Sequence, residues 1–583
     1  MGHYTPSSVP TMGLPTHLGG ARIGTSRPPG CARIREWAIP LGIAVAITVI
    51  AQRWSGLDTP DSSFYATLSL FGDEVTDRAP ITSYFWTRLG YIVPVGLLTG
   101  LLGAFPGFFA YKLLLTSAIS VSVYLTVRRH ARVWISSWLT LAVISSSVIL
   151  SYLGNSYLTG SVLAGTAILI ALASSPRHPL ASAALAGTTM GWLVMVNPTG
   201  VLLAGTLWLI LTIHTYKTND DVPVVKQLIA AAATTVGAFA AFLAAGTIVF
   251  PAMDWFDAYQ GAQQINLSDF SSAELVWLQD ISLLVPASVL LVAIANWWGY
   301  RESAAAQKSV IISAASISFM LVFNPMMGGI ALEAPLYQSM LWPPAMIALA
   351  LVATSRMTDD VSSSRLPQLV AAIGIVGIIA AGYVAPGIEL SVGLGIAIAI
   401  AAAVVFTPRT TTATLITIAT FLAGAQLLQN SRDDLGLYYL SPYHWAYASN
   451  PIETKMRTAV NSQQWLLENT TRDDTILVWV DGPWVQGDRE LYVAAGMQLW
   501  GENRVTLEPT LTDEYGLTQL DTIRPDVLAL YGKSMDSVMT FWESIPREND
   551  PSAPICYDYA WPPDSSSDFP TTQGHTCLTR LTW

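Results

Sequence analysis

The chain has 583 residues, of which 52% are hydrophobic and only 12% charged, with a formal net charge of −11. A soluble domain carries about 25% charged residues, so this composition, with a mean hydropathy of +0.44, excludes a soluble globular protein for the bulk of the chain. The acidic balance also excludes a nucleic-acid partner, which needs a basic face against the phosphate backbone.

Residues 1–36 are rich in Pro, Gly, Ser and Thr and carry Arg22, Arg27, Arg33 and Arg35 ahead of an apolar run. The run over 37–52 is followed by Arg53-Trp54 with no small-residue cleavage site. It therefore predicts an uncleaved first helix behind a disordered cytoplasmic tail, not a signal peptide. Apolar segments of membrane-spanning length recur near 37–54, 107–127, 134–153, 159–175, 182–197, 200–216, 227–249, 281–299, 309–324, 339–355, 367–385, 388–406 and 411–428. The expected fold is a polytopic α-helical membrane protein with about thirteen transmembrane helices. It comprises a membrane domain over 37–428 and an extracytoplasmic α/β domain over 429–583.

Loop charges orient the bundle. With the N-terminus inside, the cytoplasmic segments hold fifteen Arg and Lys residues, among them Arg128, Arg129, Arg132, Lys308 and Arg409. The outer segments before residue 430 hold only Arg53, Arg78 and Arg88, with Lys112 inside the second span near its outer end. Fifteen against four is the positive-inside pattern, and an odd number of spans leaves 429–583 outside. Acids are distributed the other way: Asp58, Asp61, Asp73, Glu74, Asp77, Asp254, Asp257 and Glu333 all fall in outer loops. Acids carry little topogenic weight, so two readings stand: a solvated outer face, or chemistry at the outer membrane surface.

Two outer loops are long. The first, 55–106, begins polar and ends in an apolar stretch from Leu89 to Phe105. Its Pro94 and glycines suit a helix along the interface better than a span. Counting it as a span would invert every later loop. The second, 250–280, is rich in Trp, Asp and Gln. In the C-terminal domain, 453–469 predicts an amphipathic helix, and 475–480 and 526–531 predict buried strands. Cys556 and Cys577 lie close together there and suit a disulfide in an oxidising compartment; two free thiols are the alternative.

The most informative segment is Leu57-Asp58-Thr59-Pro60-Asp61-Ser62-Ser63-Phe64-Tyr65. A carboxylate at the lipid–water boundary can take a proton from an acceptor hydroxyl, the general-base role in glycosyl transfer. The plainer reading is that Asp58 or Asp61 caps a helix starting near Ser62.

These residues, with Arg88-Leu89, Pro94, Leu102-Gly103 and Arg128-Arg129, resemble the layout of GT-C glycosyltransferases. The similarity is to the branch that contains the protein mannosyltransferases and aminoarabinose transferases. Leu336-Tyr337-Gln338-Ser339-Met340-Leu341-Trp342-Pro343-Pro344 is similar to that family's aromatic, Pro-terminated lead into a late span. The resemblance covers about residues 37–355 in layout and is thin residue by residue. It implies a polyprenyl-phosphate-linked sugar as donor. The acceptor would be an envelope glycan, glycolipid or protein, and transfer would occur on the outer face. It also implies Asp61 as base, preferred over Asp58 because Asp61-x-x-x-Tyr65 matches the family spacing, with Tyr65 beside the substrate.

The donor phosphate needs cations, for which Arg88, Arg78 and Lys112 are the candidates. The alternatives are a salt bridge from Arg88 to Asp73, Glu74 or Asp77, and a Lys112 that snorkels to the surface. Glu333, Tyr337 and Gln338 are candidates to contact sugar or acceptor, or belong to a surface loop. The family's second acid is missing: 154–160 reads Gly-Asn-Ser-Tyr-Leu-Thr-Gly. That leaves Asn155 or Tyr157 for positioning and leaves metal dependence, or any other cofactor, without support. No Asp-x-Asp, Walker motif or zinc-type spacing occurs. A transporter or flippase is the rival reading. It should place charges inside the spans, where only Lys112 is found. A non-catalytic scaffold of envelope assembly is the third.

Overall fold

The computed structural model describes residues 30–51, 65–66, 68–70, 86–144, 149, 153, 158–174, 178–218, 222–251, 253–255, 258–260, 284–326, 339–358, 465, 469–471, 474–480, 504–507, 524–532, 535–545, 553–561 and 572–581. The membrane part comprises α1 (Gly30–Ala51), α2 (Leu89–Leu102), α3 (Ala104–Arg128), α4 (Val133–Ile144), α5 (Thr159–Ala173) and α6 (Pro179–Val196). It continues with α7 (Pro198–Thr218), α8 (Val224–Val249), α9 (Leu284–Gly299), α10 (Ala304–Met326) and α11 (Trp342–Thr358).

Ten of the thirteen expected spans fall on these helices; the three over 367–428 lie outside the described residues. Among the described residues, five helices are long and apolar enough to cross a membrane, and further apolar helices are shorter. The protein is a multi-pass membrane protein. The first helix starts at Gly30, inside the stretch expected as tail.

Sequence explains the helices locally. Hydroxyls within them fold back on their own carbonyls, as in Thr48 Oγ1 to Ala44 O at 2.7 Å, Thr116 to Lys112 O at 2.8 Å and Thr126 to Ser122 O at 2.8 Å. Each of these buried hydroxyls thereby has a partner away from water. Between α6 and α7, Asn197 Oδ1 accepts the amides of Thr199 (2.9 Å) and Gly200 (3.3 Å). Pro198 takes the first helical position, where a missing N–H costs nothing.

Cross-helix contacts fix the directions. Ser120 Oγ reaches Pro40 O at 2.6 Å while Arg128 Nη2 meets Glu36 Oε1 at 3.1 Å, so α1 and α3 are antiparallel. Tyr111 meets Ser161 near the starts of α3 and α5, which run parallel. Thr234 and Thr235 donate to Ala184 O and Gly187 O, so α6 and α8 run parallel. Antiparallel α1 and α3 require the chain to return, between residues 51 and 104, to the end where α1 finished. The 14 residues of α2 span about 21 Å, less than the ~30 Å of a bilayer core. Gly103, at φ 91°, turns the chain from α2 into α3 in a conformation that only glycine adopts cheaply.

The bundle interior is lined by side chains such as Ile119, Val123, Val162, Leu193, Leu207 and Leu351. Val236 and Ile248 of α8 stay exposed, as a lipid-facing helix requires.

The C-terminal part is a five-stranded mixed sheet of order β2-β1-β3-β5-β4. Its strands are β1 (Thr475–Val480), β2 (Arg504–Leu507), β3 (Val527–Gly532), β4 (Ile555–Trp561) and β5 (Thr572–Arg580). The strands β2, β1 and β3 are parallel, and β5 and β4 join antiparallel. One helix, α12 (Met535–Ser544), covers one face through Val538, Phe541 and the following Ile545, packed on Leu477, Leu528 and Leu530. Of the helix expected over 453–469, Trp465 and Asn469 are described and are helical. Arg580 donates to Asn469 O and pairs with Asp474 at 2.9 Å. Burial pushes the Asp474 carboxyl up, but the Thr471 amide and Arg580 outweigh it and hold the group below its usual value. Cys556 and Cys577 stand opposite each other in the β4–β5 register and their sulfurs are bonded, 2.09 Å apart.

Candidate functional site

The end of the bundle at which α1 finishes and α3 begins collects the polar and aromatic side chains of the first loop. Tyr65 is fully buried, and its ring meets Tyr91 of α2 edge-on at 6.0 Å. Tyr91 meets Tyr111 of α3 at 5.5 Å, and Tyr111 Oη lies 2.8 Å from Ser161 Oγ of α5. A line of three tyrosines thus ties the first loop to three helices.

Two buried cations lie on the same helices as this line. Arg88, 5% exposed, sits at the N-cap of α2, and its carbonyl accepts the amides of Tyr91 and Ile92. Arg88 thus stands at the amide end of α2, whose dipole adds partial positive charge there. Lys112, 3% exposed, follows Tyr111 on α3. A cation buried in a spanning helix is costly and usually functional.

Above α2 lies the start of the second long loop. Trp86 packs on Phe250 (4.9 Å) and Phe250 on Trp255 (6.4 Å), while Tyr259 Oη donates to Met195 Sδ at 2.9 Å. Burial raises the Tyr259 phenol to about 12, against the pull of the nearby Arg88 charge. The arrangement needs Gly90: a Cβ there would lie 2.7 Å from the Trp192 carbonyl, and Trp192 Nε1 in turn donates to Gly90 O at 2.8 Å. Trp255 Nε1 and Thr159 Oγ1 are buried without partners among the described residues.

Of the residues expected from sequence, the structure brings Tyr65, Arg88 and Lys112 to this end. Asp58, Asp61, Arg78, Asn155, Tyr157, Glu333, Tyr337 and Gln338 lie outside the described residues. Sequence reasoning missed Tyr91, Tyr111, Ser161 and Tyr259. The first three are polar groups inside apolar helices, and their only signal was being hydroxyls at span ends. Tyr259 belongs to the loop already marked by its Trp and Gln content. Among the described residues no cluster of His, Cys, Asp and Glu could hold a metal ion.

No protein-family model matches the sequence, and no curated protein matches it. Solved structures do. ArnT from Cupriavidus metallidurans bound to undecaprenyl phosphate superposes with a TM-score of 0.52 at 11% identity, over 94% of this chain and 98% of that one. The apo state of the same protein gives 0.47 at 12% identity, over the same shares. The Archaeoglobus fulgidus oligosaccharyltransferase in its apo form gives 0.36 at 11% identity, over 86% and 70%. The chain shares its fold with that ArnT structure.

Proposed function

We propose that the protein is a membrane glycosyltransferase that takes a sugar from a polyprenyl-phosphate donor and passes it to an envelope glycan, glycolipid or protein. The observation that carries this reading is the pair of buried cations, Arg88 and Lys112, beside the tyrosine line in a chain with the fold of ArnT. In this reading the donor phosphate lies against Arg88, Lys112 and the amide end of α2, where charge-assisted hydrogen bonds stabilise the departing phosphate. Arg78 is a further candidate for that role. Asp61, with Asp58 second, takes the acceptor proton as general base. Tyr65, Asn155, Tyr157, Glu333, Tyr337 and Gln338 contact sugar or acceptor. The N-terminus is cytoplasmic, and the site and the domain over 429–583 face outward, supported by the fifteen-to-four charge bias.

The test is release of polyprenyl phosphate by the purified protein from a panel of polyprenyl-phosphate sugars. Turnover by the wild type that collapses in Asp61→Ala and falls at least tenfold in Arg88→Gln and Lys112→Gln supports the reading. No turnover from any donor, with or without envelope acceptors, refutes it. Turnover that survives Asp61→Ala moves the base to Asp58.

A further inference from the structure

We propose that Trp255 Nε1 and Tyr259 Oη, from the second long outer loop, are neutral hydrogen-bond donors to the donor phosphate beside Arg88. The assignment rests on the function proposed above and adds two ligand contacts to it. Residues 250–280 contain no Lys or Arg, so a phosphate contact from this loop must come from neutral groups.

Both side chains are held near the start of α2. A Cβ at Gly246, close to the end of α8, would meet the Leu89 side chain at 2.5 Å and Trp255 Cζ2 at 3.0 Å. Cζ2 lies on the edge of the indole that carries Nε1, so that edge stands close to the residue that follows Arg88. The ring is braced from behind by Phe250, which in turn packs on Trp86. Tyr259 is within electrostatic reach of the Arg88 guanidinium itself. One helical turn separates Trp255 from Tyr259, marked by the Ala258 amide donating to Asp254 O at 3.0 Å. Residues four apart on such a turn share a side. Asp254, the carboxylate of this turn, is exposed.

Neither donor has the partner that its burial calls for. Trp255 Nε1 is buried with no hydrogen-bond partner among the described residues, and an indole N–H can only donate. Tyr259 Oη donates to Met195 Sδ at 2.9 Å, and a thioether is a weak acceptor. Burial holds this phenol at about 12, so it keeps its proton and remains a donor at neutral pH. A purely structural role, in which Tyr259 pins the loop to α6 through Met195, accounts for the phenol but leaves the indole N–H unsatisfied. An anionic phosphate offers only acceptors. Beside Arg88 it would satisfy the indole and give the phenol a charged oxygen in place of a sulfur.

The experiment measures binding of a polyprenyl phosphate, and of the matching uncharged polyprenol, to the purified full chain in phosphatidylcholine nanodiscs. The wild type is expected to prefer the phosphate. Tyr259→Phe and Trp255→Phe should each weaken phosphate binding about tenfold, the worth of one hydrogen bond to a charged group, and leave polyprenol binding unchanged. Tyr259→Phe removes a single oxygen and decides the matter even if Trp255→Phe does not fold. A folded variant of either residue that keeps the full preference overturns the assignment; if Arg88→Gln loses that preference, the proposed function still stands. Equal weakening of phosphate and polyprenol binding marks a structural brace and also overturns the assignment. A wild type that binds the phosphate no better than the polyprenol overturns both the assignment and the proposed function.

Discussion

Tyr111 Oη and Ser161 Oγ lie 2.8 Å apart where α3 and α5 begin. This bond pins two parallel helices at one end and fixes the last ring of the tyrosine line. Tyr111→Phe and Ser161→Ala should each destabilise the protein by about 1 kcal/mol, the usual net worth of a buried hydrogen bond. The double variant should cost less than the sum of the two. Thermal unfolding in detergent measures this; strictly additive costs would show that the two hydroxyls are not coupled.

Gly90 and Gly100 share α2 but differ in surroundings. A Cβ at Gly90 would press on the Trp192 backbone, whereas one at Gly100 meets nothing within 4 Å. Gly90→Ala should cost about 1–3 kcal/mol through overpacking. Gly100→Ala should be neutral or stabilise by about 0.4–1 kcal/mol. Equal melting temperatures for the two variants would contradict the close approach of α2 to α6.

Burial first, then the charges of Lys308 and Arg129, push the His130 imidazole down to about 4. Its folded-state value lies below the unfolded ~6.5, so the unfolded chain binds the extra proton first. The stability held by neutral His130 is complete above about pH 6.5 and is lost as the pH falls toward 4. In phosphate-free buffer, His130→Gln should flatten that part of the stability profile. An acid limb of unchanged steepness in the variant would show that another group controls it.

The Cys556–Cys577 bond closes a loop across 21 positions. Removing it should destabilise the C-terminal sheet by about 3 kcal/mol on the chain-entropy account. Hydrogen exchange over 555–561 and 572–580, compared between the wild type and Cys556→Ser/Cys577→Ser, reads this directly. Unchanged protection would mean that the strand ladder alone holds the hairpin.

The membrane helices were legible because lipid leaves a chain little choice. Every span needs a long apolar run, and such runs are visible without knowing what packs on what. The interfacial reading of 89–105 followed from Pro94, the glycines and the charge bias. The strands expected over 475–480 and 526–531 stood out because a central parallel strand is apolar on both faces. β4 and β5 did not: they join the sheet beyond β3, their sequences (ICYDYAW and TQGHTCLTR) are mixed in polarity, and pairing rather than pattern makes them strands. The short β2, RVTL, and the amphipathic α12 were missed for want of length.

By itself, then, the sequence determined the membrane class, the likeness to GT-C enzymes, and Tyr65, Arg88 and Lys112 as site candidates. Only the tertiary structure decided that Tyr91, Tyr111, Ser161 and Tyr259 stand beside them, and that His130, Ser174 and Lys308 meet at the other end. Within each group those residues are 20 to 178 positions apart. Spacing along a helix cannot report which helices become neighbours, because packing of one apolar surface on another sets that, and each surface looks alike until it is paired.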